Sequence, residues 1–412
     1  MKKLLYIDSS YTLSQIRDRS LDQVLASRFL DGYFDQIWSA HPVDSHPSLT
    51  QDIAPSGKPI EERLSPSHVF VRGRYGRYTW LVRVAPLNVL IGLISFVSTL
   101  VGIVRREQIS VIRVGDPLFC GLIGLIVSKL TGAKLVVRVN GDHDLGRANS
   151  GAPINPKLFR SGKVEDKVER LVLKRADLVF VPSPPCGEFA ERKGTKPDLI
   201  VTIRNGNIID PRHLIPQADR DPLDDPEMEA RLKERPWMVH IGRMSKIKIA
   251  EDCYKVLKEL AAQDDDVGLL MIGDGPMRDD FLNWAAADGL SDRVWLMGNI
   301  DQGTLARVLP YCTLVLSPAT GRSLAEAAFA ALPIVAYDLE WQPEMIQTDV
   351  TGILVPVRDA TEMAQGAERF LADPKLRKRL GEGARERAFD LLDPTKQIQR
   401  EIDAYASLEA LS

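Results

Sequence analysis

A chain of 412 residues exceeds what one ordinary hydrophobic core organises, so two domains of roughly 200 residues each are expected. The composition is that of a soluble globular protein, and the four cysteines, Cys120, Cys186, Cys253 and Cys312, lack the spacing of a metal site or a disulfide frame. The net charge of −3 hides an asymmetry: residues 1–208 hold 29 basic against 20 acidic side chains, or +9, and the remainder holds 24 against 36, or −12. A basic first half suits an anionic membrane or acceptor, and the acidic second half argues against nucleic acid as a partner.

The opening KKLLYID is too short for a secretion signal and reads as a first strand, so a cytoplasmic chain is expected. Its apolar part, 3–7, reads as a strand emptying into Asp8, Ser9, Ser10 and Tyr11. A helix around 20–30, a strand through 34–38 and a Pro-, Ser- and His-rich connection from 41 to 66 follow. In VFVRGRYGRYTWLVR, Arg72, Arg74, Arg77 and Arg83 interleave with Tyr75, Tyr78 and Trp80. That pattern fits a membrane interface, a phosphate-rich acceptor or single-stranded nucleic acid, and equally a solvated loop.

Residues 84–104 carry no charge, but Asn88, Ser95, Ser98 and Thr99 interrupt them, and the strand at 109–114 must rejoin the first. A buried crossover helix with one face near lipid is therefore expected rather than a membrane span. An apolar helix over 118–130 leads to the strand KLVVRV and the turn Asn140, Gly141, Asp142, His143, Asp144. His143 between two carboxylates is a candidate base or polar-substrate contact; the plainer alternative is that Asp142 or Asp144 caps the chain. A loop over 148–162, a charged helix over 164–175 and strands at 177–182 and 199–203 complete a domain of residues 1–208.

Five prolines between 209 and 236 mark a linker region, and strand-helix alternation resumes at WMVHIG. Residues 237–394 make the second domain, with a final helix over 395–412 that packs back on the first. Its strand ends carry Gly242 and Arg243, then Gly273 to Pro276, then Thr320 to Ser323, all on one rim of a parallel sheet. Arg243 and Lys248 are cations able to neutralise a diphosphate leaving group. In SPATGRSLAEAAFAALPIV, residues 317–335, the turn leads into a helix from Leu324 whose N-terminus suits a phosphate, with Glu326 in its first turn. The run Asp264, Asp265, Asp266 falls on the opposite rim and reads as solvated charge rather than a metal site.

Taken in order, a strand-GR-x4-K, GDGP, a V-x-L-x-G strand, a Ser turn leading to EA-x5-P, and TG-x-LVP resemble the donor half of glycosyltransferase family 4 over residues 237–390. The resemblance implies an α/β chain of the GT-B class, two Rossmann-like doubly wound parallel-sheet domains facing a central cleft. It implies a retaining, metal-independent enzyme without cofactor. Such an enzyme moves a sugar from a nucleotide-diphosphate sugar to a glycan or lipid-linked acceptor in cell-surface polysaccharide or glycolipid synthesis, peripherally at the inner membrane face. Arg243, Lys248 and His143 take the catalytic positions; Gly242, Gly273, Thr320, Gly321, Arg322, Ser323, Leu324 and Glu326 those of donor binding, with Glu326 on the ribose hydroxyls. Asn140, Asp142 and Asp144 fall on the acceptor side, and Arg72, Arg74, Arg77 and Trp80 on the membrane or acceptor surface.

The chain also departs from that pattern. Pro318, or Thr320 and Gly321, stand where the first of two glutamates belongs, and Ile249 and Ala331 replace glycines. A non-catalytic nucleotide-sugar-binding subunit, or an epimerase or phosphorylase of the same fold, are the alternatives.

Overall fold

The computed structural model describes every residue except 19, 46–51, 157, 264, 265, 411 and 412. Asp264, Asp265, six positions of the expected 41–66 connection and the side chain of Arg83 thus lie outside the described residues. Met1–Arg204 with Thr395–Ser412 forms one compact unit and Asn205–Pro394 the other.

Short runs rich in branched apolar residues make most of the first unit's strands, which are β1 (Lys3–Ile7), β2 (Gln36–His41), β3 (Ile60–Ser65), β4 (His68–Arg72), β5 (Val111–Val114), β6 (Lys134–Arg138), β7 (Leu178–Val181) and β8 (Ile200–Thr202). They lie in the order β3-β4-β2-β1-β5-β6-β7-β8. All pairings are parallel except β3 with β4. Leu4, Leu5 and Ile7 of the central β1 are fully buried, as a sheet covered on both faces requires.

Several expectations need revision. The helix expected around 20–30 is present as Asp22–Ala26 and the 3-10 turn Ser27–Phe29, and an additional helix, Leu13–Asp18, precedes it across Ser20, whose φ of 49° no helix continues. The 41–66 connection contains the edge strand β3, hidden in the sequence by Glu61, Glu62 and Arg63. The turn after β6 starts a helix, His143–Ser150, where a loop was expected from 148.

The uncharged stretch forms the crossover helix Ala85–Glu107 between β4 and β5. Phe96, Leu100, Ile103 and Val104 enter the core, while Leu87, Leu90 and Ile94 stay exposed. By length and composition this helix could cross a membrane; only a third of its apolar window is buried in the fold.

The second unit carries β9 (Trp237–Ile241), β10 (Gly268–Ile272), β11 (Val294–Gly298), β12 (Leu314–Ser317), β13 (Ile334–Tyr337) and β14 (Ile353–Val355). The order is β11-β10-β9-β12-β13-β14, all parallel. Residues 209–236 are part of this unit rather than a free linker, because Ile209, Leu223 and Leu232 pack into its core with Trp237. Their prolines open short helices, Pro211–Leu214 and Pro226–Lys233, where a missing N–H costs nothing. The last helix, Pro394–Ala410, joins the first unit through Tyr405, fully buried against Phe34 and Phe180, and through Glu401, which pairs with Arg113 of β5.

Candidate functional site

Parallel strands of the second unit end on one rim, and close loop packing shapes it. Gly242 N–H donates to Ile272 O at 2.9 Å and Gly273 N–H to Gly298 O at 2.8 Å. Gly273 has φ +131°, and a Cβ there would stand 2.1 Å from Gly242 O; at Gly275 it would stand 2.2 Å from Met244 O. The glycines of GDGP are thus required by the neighbouring loop.

Arg243 is exposed and Lys248 half-buried at the end of the Lys246–Lys248 turn, and neither has an ion pair among the described residues. Ile249 turns the chain into the helix Glu251–Ala261 with φ 51°, a conformation unusual for a branched side chain.

Beside these cations lies the turn after β12. Ser317 Oγ bonds Thr320 Oγ1 and reaches Gln342 Oε1 at 2.6 Å, while Gln342 Nε2 donates to Tyr337 O at 2.9 Å and Pro318 O at 3.2 Å. The Thr320 hydroxyl, expected to face a ligand, is therefore buried in a network that pins the turn. Gly321 is the N-cap of Arg322–Phe329 and provides no side-chain cap, so the positive end of this helix, at Ser323, keeps its capacity for an anion. Among the described residues, no heavy atom outside Gly321 and its chain neighbours lies within 4 Å of where a Gly321 Cβ would be.

Leu324 is buried in the core, which leaves only its backbone to the site. Glu326, expected on the ribose hydroxyls, is buried and accepts Arg322 Nε at 2.8 Å, so these two expected ligand contacts are tied to each other. Reasoning from sequence missed His213, fully buried, with Nε2 2.9 Å from Gln302 Oε1 and Nδ1 unpartnered among the described residues. Burial lowers its pKa, opposed by the charge of Glu326.

In the first unit, Asp142 is the N-cap of His143–Ser150, accepting from Asp144 N at 2.9 Å and Leu145 N at 3.1 Å. His143 Nδ1 lies 2.8 Å from Oε1 of the fully buried Glu169, and since a carboxylate accepts, Nδ1 is the donor. Burial pushes Glu169 up, but hydrogen bonds from His143 and Arg147 leave it below the usual carboxylate range. Asp144, Asp166 and Glu169 converge within 4.8 Å, a spacing that could hold a metal. Lys193, fully buried, already contacts them at 2.6, 2.5 and 3.3 Å. Asn140 spans Arg138 and Gly115 O.

Arg72 does not belong to a surface: as the last residue of β4 it is buried and paired with Asp44, Asp52 and Glu62. Arg74 is occupied by the carbonyls of Lys58 and Ala54. Arg77 lies over Tyr78 at 5.0 Å, and Trp80 is 74% exposed. The buried Asn88 pins this segment by accepting Arg77 N at 2.8 Å and Tyr78 N at 2.9 Å.

A family model described as glycosyl transferases group 1 matches residues 224–387, and one described as glycosyl transferase 4-like domain matches 50–206. The alpha-D-kanosaminyltransferase of Streptomyces kanamyceticus is 27% identical over 276 residues, 63% of this chain and 67% of that protein. The N-acetyl-alpha-D-glucosaminyl L-malate synthase of Bacillus anthracis is 30% identical over 167 residues, 40% of this chain and 43% of its own length. Sucrose-phosphate synthase from Thermosynechococcus elongatus superposes with a TM-score of 0.74 at 20% identity over 100% of both chains. HepE of Anabaena, solved with UDP, does so with 0.70 at 18% identity over 99% of this chain and 100% of the other.

Proposed function

The chain belongs to the family 4, or group 1, glycosyltransferases of GT-B fold, and on that premise we propose that it moves a sugar, with retention, from a nucleoside-diphosphate sugar to a glycan or lipid-linked acceptor. One observation carries this reading: Arg243 and Lys248, unpaired among the described residues, share a strand-end rim with the uncapped N-terminus at Gly321. Two cations and the positive end of a helix suit a leaving diphosphate, whose charge grows as the bond to the anomeric carbon breaks. In a same-face displacement the acceptor oxygen bonds to that carbon, and the departing phosphate oxygen takes the acceptor proton. No divalent ion or cofactor enters this scheme. HepE was solved with UDP-glucose, which makes UDP-sugars the first donors to try. The pathway proposed is cell-surface polysaccharide or glycolipid synthesis.

The test is sugar transfer from a panel of nucleotide sugars, with and without EDTA. Arg243→Ala and Lys248→Ala should each lower kcat/KM about 100-fold. Wild-type rates in both variants would dismiss the donor site, and loss of transfer in EDTA would dismiss metal independence. A second reading, a nucleotide-sugar-binding subunit without turnover, is favoured by the inward-turned Thr320, which leaves no carboxylate where the family's first glutamate stands. Turnover by the purified chain alone dismisses it.

We also propose peripheral binding at the cytoplasmic face of an anionic membrane, through Trp80, Leu87, Leu90 and Ile94, with Arg77 on the segment that carries Trp80. Arg72 and Arg74 have no part in it. Vesicles containing phosphatidylglycerol should sediment the wild type and release a Trp80→Ala, Leu90→Ser, Ile94→Ser variant; equal sedimentation refutes this surface.

A further inference from the structure

One polar side chain in the core of the second unit has a nitrogen without a partner next to the rim. His240, fully buried, is the penultimate residue of β9, between Val239 and Ile241. Its Nδ1 lies 3.2 Å from Leu316 O on β12. A carbonyl only accepts, so Nδ1 carries the proton. Burial, and secondarily the charge of Lys248, hold the ring neutral by lowering its pKa to about 4, against the pull of the Leu316 carbonyl. The lone pair is therefore on Nε2, which has no hydrogen-bond partner among the described residues. A bare buried acceptor is costly unless something reaches it.

Alternation along β9 puts His240 and Gly242 on the same face. A Cβ at Gly242 would stand 3.1 Å from Nε2, so the glycine keeps the path from that nitrogen to the rim open. On the same side lie Met244 and Ile249, buried in one cluster with Met238 and Leu316, so the loop that holds Lys248 folds over this face. Lys248 is the charged group whose field reaches the ring.

We propose that His240 is a positioning residue for Lys248: its bare Nε2 accepts a hydrogen bond from the Lys248 ammonium and aims that cation at a donor diphosphate. The two groups are not bonded in the structure, and the flexible stem of Lys248 closes the contact as the anion arrives. A carboxylate in this place would hold the lysine more tightly but would cancel the charge the diphosphate needs. A neutral imidazole orients the ammonium and leaves its charge intact. The inference rests on the donor-site reading of Lys248.

The experiment is a double-mutant cycle on nucleoside-diphosphate affinity, measured by calorimetry with whichever of UDP, GDP and ADP binds the wild type most tightly. His240→Leu and Lys248→Met should each weaken binding about tenfold, and the double variant no more than Lys248→Met alone. His240→Gln, which keeps an acceptor, should stay within about threefold of the wild type. Should His240→Leu not fold, as judged by its thermal transition, His240→Met replaces it. Independent effects, with the double variant weakened about 100-fold, overturn the proposal, because His240 then acts elsewhere. Equal losses in His240→Gln and His240→Leu overturn it too. If Lys248→Met binds like the wild type, or none of the three nucleotides binds, the donor-site reading itself falls.

Discussion

Replacing Lys193 by methionine removes the ammonium around which three carboxylates of the first unit are arranged, while keeping the length of the stem. Lys193 lies 2.6 Å from Asp144, 2.5 Å from Asp166 and 3.3 Å from the fully buried Glu169. Deleting one partner of a buried ion pair costs about 3–5 kcal/mol. Asp144 and Asp166 are 41% and 33% exposed, so solvent recovers part of that loss. Arg147 still serves Glu169, and about 2–3 kcal/mol remains. For a unit of this size the melting temperature should fall by about 4–12 °C at pH 7.

The pH dependence separates this cause from lost packing. In the wild type all three carboxylates are held below their ordinary range. For Asp144 and Glu169 burial pushes upward and is outweighed by hydrogen bonds, from Lys193 and Arg147 and from His143 and Arg147 respectively; for Asp166 the bonds from Arg170 and Lys193 dominate. Their stabilisation is complete above the unfolded values near 4 and is lost only as the pH falls through the lower folded values. Without Lys193 the shifts move upward, and the penalty fades as protons bind between about pH 7 and 4. The gap between wild type and Lys193→Met, followed by circular dichroism, should therefore be smaller at pH 5 than at pH 7. A gap under about 2 °C at pH 7, or one unchanged at pH 5, refutes the electrostatic account.

Glu401→Gln should free the last helix, because Arg113 is buried with this carboxylate as its ion-pair partner; a loss of about 3–5 kcal/mol and faster hydrogen exchange across 394–410 are expected. Ala331→Gly should stabilise the second unit by about 0.5–1 kcal/mol, read from the denaturation midpoint. Ala331 has φ 54° and closes the helix before it with bonds from its own N–H to Ala328 O at 2.9 Å and from Leu332 N–H to Ala327 O at 3.3 Å, a cap that favours glycine. His68 and His240 are both held at about 4, each chiefly by burial. The unfolded chain takes up protons below about pH 6.5 while these folded rings stay neutral, so stability should fall from about pH 6.5 to about pH 4, by at most about 3 kcal/mol for each ring. Urea midpoints across that range check it, and His68→Phe should flatten the curve.

Much of this fold is legible because buried parallel strands are short apolar runs that nothing else in the sequence resembles. Lys3–Ile7 and Trp237–Ile241 stand where their apolar runs stand. What failed to read was register and long-range pairing. Arg72 looks like part of a basic surface, yet β4 reaches one residue into that segment. Its partners Asp44, Asp52 and Glu62 lie 28, 20 and 10 positions away, so no local pattern announces them. Lys193 likewise carries no local sign of its carboxylate partners, which lie 49, 27 and 24 positions away, and Thr320, expected at the donor, turns into the buried network instead. His240 did carry a signal: a titratable residue inside an otherwise apolar strand, two positions before a rim glycine.

The two missing glycines bear most directly on the site. Ile249 and Ala331 replace glycine in the sequence, which suggests that the local chain path has changed, yet both residues keep a left-handed backbone, at φ 51° and 54°. Each accepts roughly 1–2 kcal/mol of strain that glycine would avoid. Ile249 offsets part of it by burying its side chain in the cluster with Met244 and Leu316. The turn after Lys248 and the cap after the helix that begins at Arg322 are therefore held by the packing around them, not by the freedom of glycine. The lysine and the uncapped helix end thus keep their places in the loop through residues that resist the conformation they adopt, which is the form strain takes where surrounding structure overdetermines a site.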